Sequence, residues 1–439
     1  MKAFLERKFR LAEHQTDVRT EILAGTVTFM TMAYILVVNP SILSACGMEF
    51  DKVFTATALA SVIATLVMGL YANLPFALSA GMGLNAFFSY TVCTGMGYSW
   101  RWALTAILVE GIIFLLMTFF NLREVIVKRI PATLKKAIGA GIGFFLAFLG
   151  LQNAGLIVAD SATLVKLNSR WFAGGSGAAM IGLILTAVLL IRKVKGAILI
   201  GIIATTMIGI PFGITEYAGG QFLPSAPYLF PFAFDEVFSS GKSFFDFTAV
   251  LFTFLFVDMF DTIGTLIGCA DNSGLVREDG SIPNCKQALL ADAVGTTAGA
   301  MLGTSTVTTY VESASGVTVG GRTGLTAVTT AVLFLLALFL KPLFASIPGA
   351  ATAPALILVG LMMIRPIREI NFSDYTESIP AFLCIIFMIC AYSISDGITF
   401  GILSYVLIHV LTGKARQVGK TMWVMSVLLI LRWVVSIFL

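Results

Sequence analysis

The sequence predicts an all-α polytopic membrane protein of fourteen transmembrane segments, built as two inverted seven-helix repeats in which segments 3 and 10 are broken by short strands. Three observations carry this expectation. The 439 residues are 58% hydrophobic and only 12% charged, with a mean hydropathy of +0.94, which no water-soluble domain of this size would tolerate. The apolar residues fall into two series of seven runs, most of them close to the roughly 20 helical residues needed to cross a hydrocarbon core about 30 Å thick. The third run of each series is unlike its neighbours, being rich in hydroxyl and small residues.

The chain opens with MKAFLERKFRLAEHQTDVRTE, which has neither a hydrophobic centre nor a cleavage site. It reads as a basic, amphipathic cytoplasmic arm over 1–19, not a signal peptide. The first repeat, 20–211, holds runs near 20–40, 54–71, 75–95, 102–120, 131–150, 176–191 and 195–211. A polar, proline-containing connector over 212–244 follows on the extracytoplasmic side. The second repeat, 245–412, holds runs near 245–269, 287–303, 304–319, 323–341, 348–364, 379–394 and 397–412. An odd number of spans per repeat makes the second series enter the membrane from the opposite face.

Positive charge supports this topology, because Lys and Arg stay on the cytoplasmic side. Most of the 28 Lys and Arg fall in segments assigned there, including Arg123, Lys128, Arg129, Lys135, Lys136, Arg192, Lys193 and Lys195. Both termini are therefore expected in the cytoplasm. The repeat itself leaves weaker marks: the fifth runs open with Ile130-Pro131 and Ile347-Pro348, and the sixth and seventh runs are joined by the short connectors RKVKG and SDG. The last stretch, 413–439, is a basic linker and an apolar segment carrying Arg432. A spanning helix would place that arginine in hydrocarbon, so an interfacial helix is expected.

The third runs, PFALSAGMGLNAFFSYTV from Pro75 and GTSTVTTYVESASGVTVGG from Gly303, begin with strand-like stretches (76–80 and 306–310) and continue as Gly- and Ala-rich half-helices. Interrupted segments at matching positions of two halves mark a midplane binding site. Irregular backbone at that depth survives only where it lines a cavity or is buried in protein.

Ionisable residues inside the runs are few: Glu110, Asp258, Asp261, Asp292, Glu312 and Asp396. A carboxylate near the bilayer centre costs upwards of about 2.5 kcal/mol and belongs on the protein interior. Asp258 and Asp261, in FTFLFVDMFDTIGTLIG, lie three residues apart and project toward one region. Glu312 stands where the extended stretch becomes a half-helix, among free N–H groups that favour negative charge. Asn85, in GMGLNAFF, is the polar group of the opposite broken segment, able to donate and accept at once. Glu110 reads as a structural partner of a group lining the gap, Asp292 as facing the second broken segment, and Asp396 as a turn cap. Phe87, Phe88, Tyr310 and Ser313 are further lining candidates. The glycines Gly81, Gly83, Gly316, Gly320 and Gly321 read as close helix packing.

Other chemistries find little support. The six cysteines (Cys46, Cys93, Cys269, Cys285, Cys384 and Cys390) are scattered, and the two histidines, His14 and His409, stand far from any ligand-like spacing, so neither disulfides nor a metal site nor a cofactor is expected. DNSGLVREDG, from Asp271, lacks EF-hand spacing. No phosphate-cradling loop is present, which argues against ATP-driven transport. Asp258 and Asp261 share one helix, whereas an intramembrane aspartyl protease faces two acids across helices. An anion channel calls for Arg or Lys in the pathway, where this chain offers acids.

The segments TDVRTEILAGTVTFMTMAYILVVNP, NLPFALSAGMGLNAFFSYTV, FVDMFDTIGTLIG, TTYVESASGVTVGGRTGLTAV, ATAPALILVG and YSISDGITFGILSYV resemble those of the AzgA-type purine permeases, within the wider nucleobase transporter group that includes the uracil and xanthine permeases. The likeness covers about residues 16–412. It implies a core domain of about 20–120 and 245–341, moving against a gate domain of about 131–211 and 348–412. It also implies proton symport of hypoxanthine, guanine and adenine across the cytoplasmic membrane, no enzymatic activity, no nucleic-acid partner, and room for a homodimer. Carried over residue by residue, the substrate-binding positions are Asp258, Glu312 and Asn85, and Asp261 is the position of proton coupling or structural integrity. Preference for adenine, xanthine or uracil on the same fold is the alternative.

Overall fold

The computed structural model describes residues 2–120, 131–161, 163–217, 219, 222–273 and 282–438. Its helices follow the two series closely. The first comprises α2 (Val18–Met32) with α3 (Ile35–Ser44), α4 (Phe50–Val67), the broken segment β1 (Leu78–Ala80) with α5 (Met82–Ala86), α6 (Trp100–Phe119), α7 (Ala132–Asn153), α8 (Gly174–Ile191) and α9 (Ala197–Gly209), after a short N-terminal helix α1 (Lys2–Phe9). The second comprises α10 (Gly241–Ser273), α11 (Cys285–Leu302), the broken segment β4 (Val307–Thr309) with α12 (Ser313–Val319), α13 (Gly324–Ala337), α14 (Gly349–Met363), α15 (Tyr375–Cys390) and α16 (Ile394–Leu411), followed by α17 (Lys420–Phe438).

Two groups of helices result. In one, α11 packs on α4 and α6, while α13 and α12 pack on α2, so elements of both repeats interleave. In the other, α7 packs on α14 and α15, α15 on α16, and α8 on α9 and α14. Small residues make these crossings close in both groups. A Cβ at Gly324 would lie 1.9 Å from the Gly69 carbonyl oxygen, and one at Gly360 would lie 2.4 Å from that of Gly143. Close backbone approach of this kind replaces the hydrophobic drive that lipid cannot supply.

The structure differs from the sequence reading in three places. The first run is two helices, interrupted at Ala33 and Tyr34, and extends to Ser44. The fold is not purely helical outside its broken segments: β2 (Ile157–Asp160) and β3 (Leu164–Leu167) form an antiparallel hairpin between α7 and α8. Its turn is held by Asp160, which accepts from the Thr163 amide at 3.0 Å and hydroxyl at 3.1 Å, a local bond that acidic turn residues make readily. The eighth run is a long helix of 33 residues that begins inside the expected connector.

The last helix, α17, buries Met422, Met425, Ser426 and Leu429, one face at helical spacing, against α16 and α10. Trp423, Val424, Val427 and Ile430 are exposed on its other face. The Arg432 side chain, the basic residues Arg123, Lys128 and Arg129, and most of the DNSGLVREDG loop lie outside the described residues.

Candidate functional site

The two broken segments meet. β1 pairs antiparallel with β4, Leu78 opposite Thr309, Ser79 opposite Thr308 and Ala80 opposite Val307. The Gly81 amide donates to the Thr306 carbonyl at 2.9 Å and the Tyr310 amide to the Ala77 carbonyl at 3.0 Å, so the pairing continues beyond each strand. A two-stranded sheet leaves two outer edges, and buried edge groups need partners. Two threonines supply them symmetrically. Thr65 of α4 donates to the Leu78 carbonyl at 3.1 Å and accepts from the Leu78 amide at 3.0 Å. Thr296 of α11, the corresponding span of the second repeat, does the same for Val307, at 3.1 and 3.2 Å.

Glu312 immediately precedes α12, and its side chain makes no capping bond. Its Oε1 instead accepts from the hydroxyl of Tyr34 at 2.6 Å. The interruption between α2 and α3 places that phenol, which is fully buried. Glu312 and Asp261 are half-buried, whereas Asp258, Asp292, Glu110 and Asn85 are fully enclosed. Asp261 lies on α10 near Thr308 of β4.

The two acids of α10 therefore have different surroundings. Asp258 shares Thr262 with Asp292 of α11: the Thr262 hydroxyl lies 3.2 Å from Asp258 Oδ1 and 2.6 Å from Asp292 Oδ1. One hydroxyl proton stands between two carboxyl acceptors. A hydroxyl can donate to one of the acids and, when the other is protonated, accept from it.

Asn85 does not pair with Glu312. Its Oδ1 accepts from the Ser305 hydroxyl, and its Nδ2 has no hydrogen-bond partner although the residue is fully buried. The neighbouring hydroxyls are committed elsewhere. Thr306 donates to Glu110 Oε2 at 2.8 Å, and Thr304 accepts from Asn39 Nδ2 at 2.8 Å. Phe87 packs edge-on against Phe254 of α10, ring centroids 5.0 Å apart, one helical turn before Asp258. Ser313 is buried with its hydroxyl accepting from the Ala77 amide at 3.0 Å, which binds the two broken segments together. Asp396 lies in the first turn of α16, where its amide donates to the Ser393 hydroxyl at 3.2 Å.

Tyr34, Ser305, Thr262 and the threonine pair Thr65 and Thr296 were missed in the sequence, where hydroxyl residues are common. A further omission, Glu21, is a fully buried carboxylate on α2. The available signal was the hydroxyl run TSTVTT in the anomalous third segment, too polar for a lipid-facing helix. Chemically, the site offers carboxylate acceptors from one repeat and an amide from the other within largely apolar surroundings, a set that suits a neutral planar ligand with both donors and acceptors.

Residues 19–400 match the model of a family described as Permease family, Xan_ur_permease. The chain is similar to the Adenine permease AdeP of Escherichia coli, 42% identical over 98% of this chain and 96% of that one. It is similar also to the Guanine/hypoxanthine permease PbuO of Bacillus subtilis, 41% identical over 96% of this chain and 98% of the other. Among solved structures, the transmembrane domain of a cyanobacterium bicarbonate transporter BicA superposes with a TM-score of 0.65 at 14% identity, covering 89% of this chain and 96% of that domain. At that identity the likeness concerns the fold alone, that of an inverted-repeat membrane transporter.

Proposed function

The chain belongs to this Permease family, and from that premise we propose that it is a proton-coupled symporter importing purine nucleobases, hypoxanthine and guanine with adenine, across the cytoplasmic membrane. It is a transporter and not an enzyme. The observation that carries the reading is the full-length similarity to permeases of adenine and of guanine and hypoxanthine.

In this reading Glu312 and Asp258 accept the ring N–H groups of the base, and Asn85 contacts it from the first repeat. Ring N–H donors on buried carboxylates make charge-assisted bonds, stronger than neutral ones. Asp261, half-buried beside Thr308, takes the coupling or integrity role. Support for proton coupling comes from Thr262, whose hydroxyl lies within hydrogen-bond reach of both the Asp258 and the Asp292 carboxyls and so brings two buried acids to one polar cluster. Coupling then requires that protonation change the relative stability of outward-open and inward-open states, since a ligand shifts an equilibrium only through differential affinity.

The movement we propose is of the helix group holding β1 and β4 against the group around α7, with both termini in the cytoplasm. The two groups touch closely at Gly83, where a Cβ would lie 2.6 Å from Ile142 of α7. Labelled hypoxanthine uptake tests the assignment. Asp258→Asn and Glu312→Gln are expected to abolish uptake while the protein remains in the membrane, and normal uptake by both variants removes these residues from the mechanism.

A further inference from the structure

Asn85 is a side chain with two unlike ends. Its oxygen accepts, its nitrogen donates two hydrogens, and a half-turn about the terminal bond exchanges them. Which end meets a ligand is therefore set by whatever holds the other. Here Ser305 holds the oxygen, and the NH2 group is left without a partner in a fully buried residue. Buried amide donors are nearly always paired, and one left unpaired is costly unless something arrives to accept from it.

We propose that Ser305 is a positioning residue that locks the Asn85 amide with its NH2 turned to the substrate, making the first repeat a hydrogen-bond donor to a purine ring acceptor. The inference rests on the purine-transport reading above and deepens it. It divides recognition between the repeats: Glu312 and Asp258, from the second, take the N–H edge of the base, and Asn85, from the first, gives to the ring nitrogen lone pair at N3 or N7.

The local structure fixes this arrangement. Ser305 sits in the run Thr304, Ser305 and Thr306, which enters β4, and each hydroxyl engages a buried polar side chain of a different first-repeat helix. Thr304 meets Asn39 of α3, Ser305 meets Asn85 of α5, and Thr306 meets Glu110 of α6. Neither threonine is available to replace Ser305. The Gly81 amide, four residues before Asn85, donates to the Thr306 carbonyl at 2.9 Å, which holds the two broken segments in register at this point. A hydroxyl can also accept from an NH2, so the orientation rests on Ser305 donating to the Asn85 Oδ1, and loss of that donor frees both rotations of the amide.

The experiment is competition against labelled hypoxanthine uptake by unlabelled hypoxanthine and by its 3-deaza and 7-deaza analogues, each lacking one ring acceptor. The carriers are the wild type, Ser305→Ala, Ser305→Thr and Thr306→Val. In the wild type, one analogue is expected to compete about tenfold or more weakly than hypoxanthine, the penalty of leaving a buried donor unmet. In Ser305→Ala that penalty shrinks to about threefold or less while the KM for hypoxanthine rises, because the amide is free to turn. Ser305→Thr restores the wild-type ratio. Thr306→Val leaves the ratio at the wild-type value whatever it does to the rate, which separates amide orientation from general damage near β4.

An undiminished penalty in Ser305→Ala, or no penalty for either analogue in the wild type, overturns the proposal. Should Ser305→Ala not reach the membrane, Ser305→Cys carries the same comparison with a weaker donor: an intermediate penalty supports the proposal and a full one overturns it. If no purine base competes in the wild type, the transport reading itself fails and takes this inference with it, an outcome distinct from an unchanged ratio.

Discussion

Glu21 offers the sharpest test of how the two repeats are joined. This carboxylate lies on α2, fully buried, and serves the start of α13 in the other repeat. Its Oε1 accepts from the Arg322 amide at 2.8 Å. Its Oε2 accepts from the amides of Thr323 and Thr326 at 3.3 and 3.1 Å and from the Thr326 hydroxyl at 2.6 Å. Arg322 and Thr323 stand just before the first residue of α13, where amides have no intrahelical partner, and Glu21 satisfies them from the other repeat. Glu21→Ala leaves these two amides unpaired, while the Thr326 amide keeps the Thr323 carbonyl at 3.2 Å. At about 1–3 kcal/mol for each buried donor left unpaired, and with the hydroxyl able to turn elsewhere, the loss comes to about 2–6 kcal/mol. Glu21→Gln keeps an oxygen for the three Oε2 contacts but turns an NH2 toward the Arg322 amide, donor against donor, and is expected to lose about half as much. Thermal unfolding of the purified protein in detergent reads the order directly: wild type highest, Gln next, Ala lowest. An alanine variant that unfolds with the wild type refutes the reasoning.

Three further outcomes follow from the same geometry. Tyr34→Phe removes the 2.6 Å bond to Glu312, a bond to a charged group of about 1.5–3 kcal/mol, and kcat/KM for hypoxanthine should fall about tenfold or more with the protein still in the membrane. Unchanged uptake shows that the phenol does not orient the acid. Gly324→Ala drives a methyl to within 1.9 Å of the Gly69 carbonyl, so α13 must shift and stability should drop by at least about 1–3 kcal/mol, as in overpacked cores. Gly139→Ala, with nothing within 4 Å, is the control and should unfold like the wild type. At the start of α2, outside the membrane segments, the Thr20 amide holds the Asp17 carboxyl below its ordinary range. A depressed folded value means the contribution is complete above the unfolded value and lost as pH falls through the folded one. Protection of the Thr20 amide, its exchange rate relative to that of an unstructured amide at the same pH, should therefore hold from neutral pH to about pH 5 and fall only below about pH 4; a fall already near pH 6 contradicts the assignment.

Much of the fold was legible because hydrocarbon imposes one length scale on every span, and helix ends then fell near the ends of apolar runs. The broken segments were legible for the same reason in reverse: 76–80 and 306–310 were too polar and too β-like to face lipid, and they contain the strands Leu78–Ala80 and Val307–Thr309. The interruption at Ala33 and Tyr34 was not, because nothing in the run TFMTMAYILVV departs from a continuous helix. Nor was the β2–β3 hairpin, which lies in a solvated connection where no apolar pattern constrains it.

At the site, the rare acids and Asn85 stood out because charge at that depth is costly. Their partners did not. Ser305, Thr262 and Tyr34 are ordinary residues whose importance comes from which helix faces them, and that is a property of packing between repeats distant in sequence. Glu21 was passed over for a related reason: it sits at the edge of the cytoplasmic arm, where a carboxylate is expected to be solvated, and only the arrival of α13 encloses it.

The central claim is that a proton gradient drives a purine through this site. The most direct measurement is uptake of labelled hypoxanthine into proteoliposomes holding the purified chain, with an acid-outside pH gradient imposed and then collapsed by an uncoupler. Accumulation above the external concentration that disappears with the uncoupler, and that excess unlabelled guanine suppresses, is the predicted result. Accumulation indifferent to the uncoupler, or absent for every purine base while the protein is folded and inserted, contradicts the account.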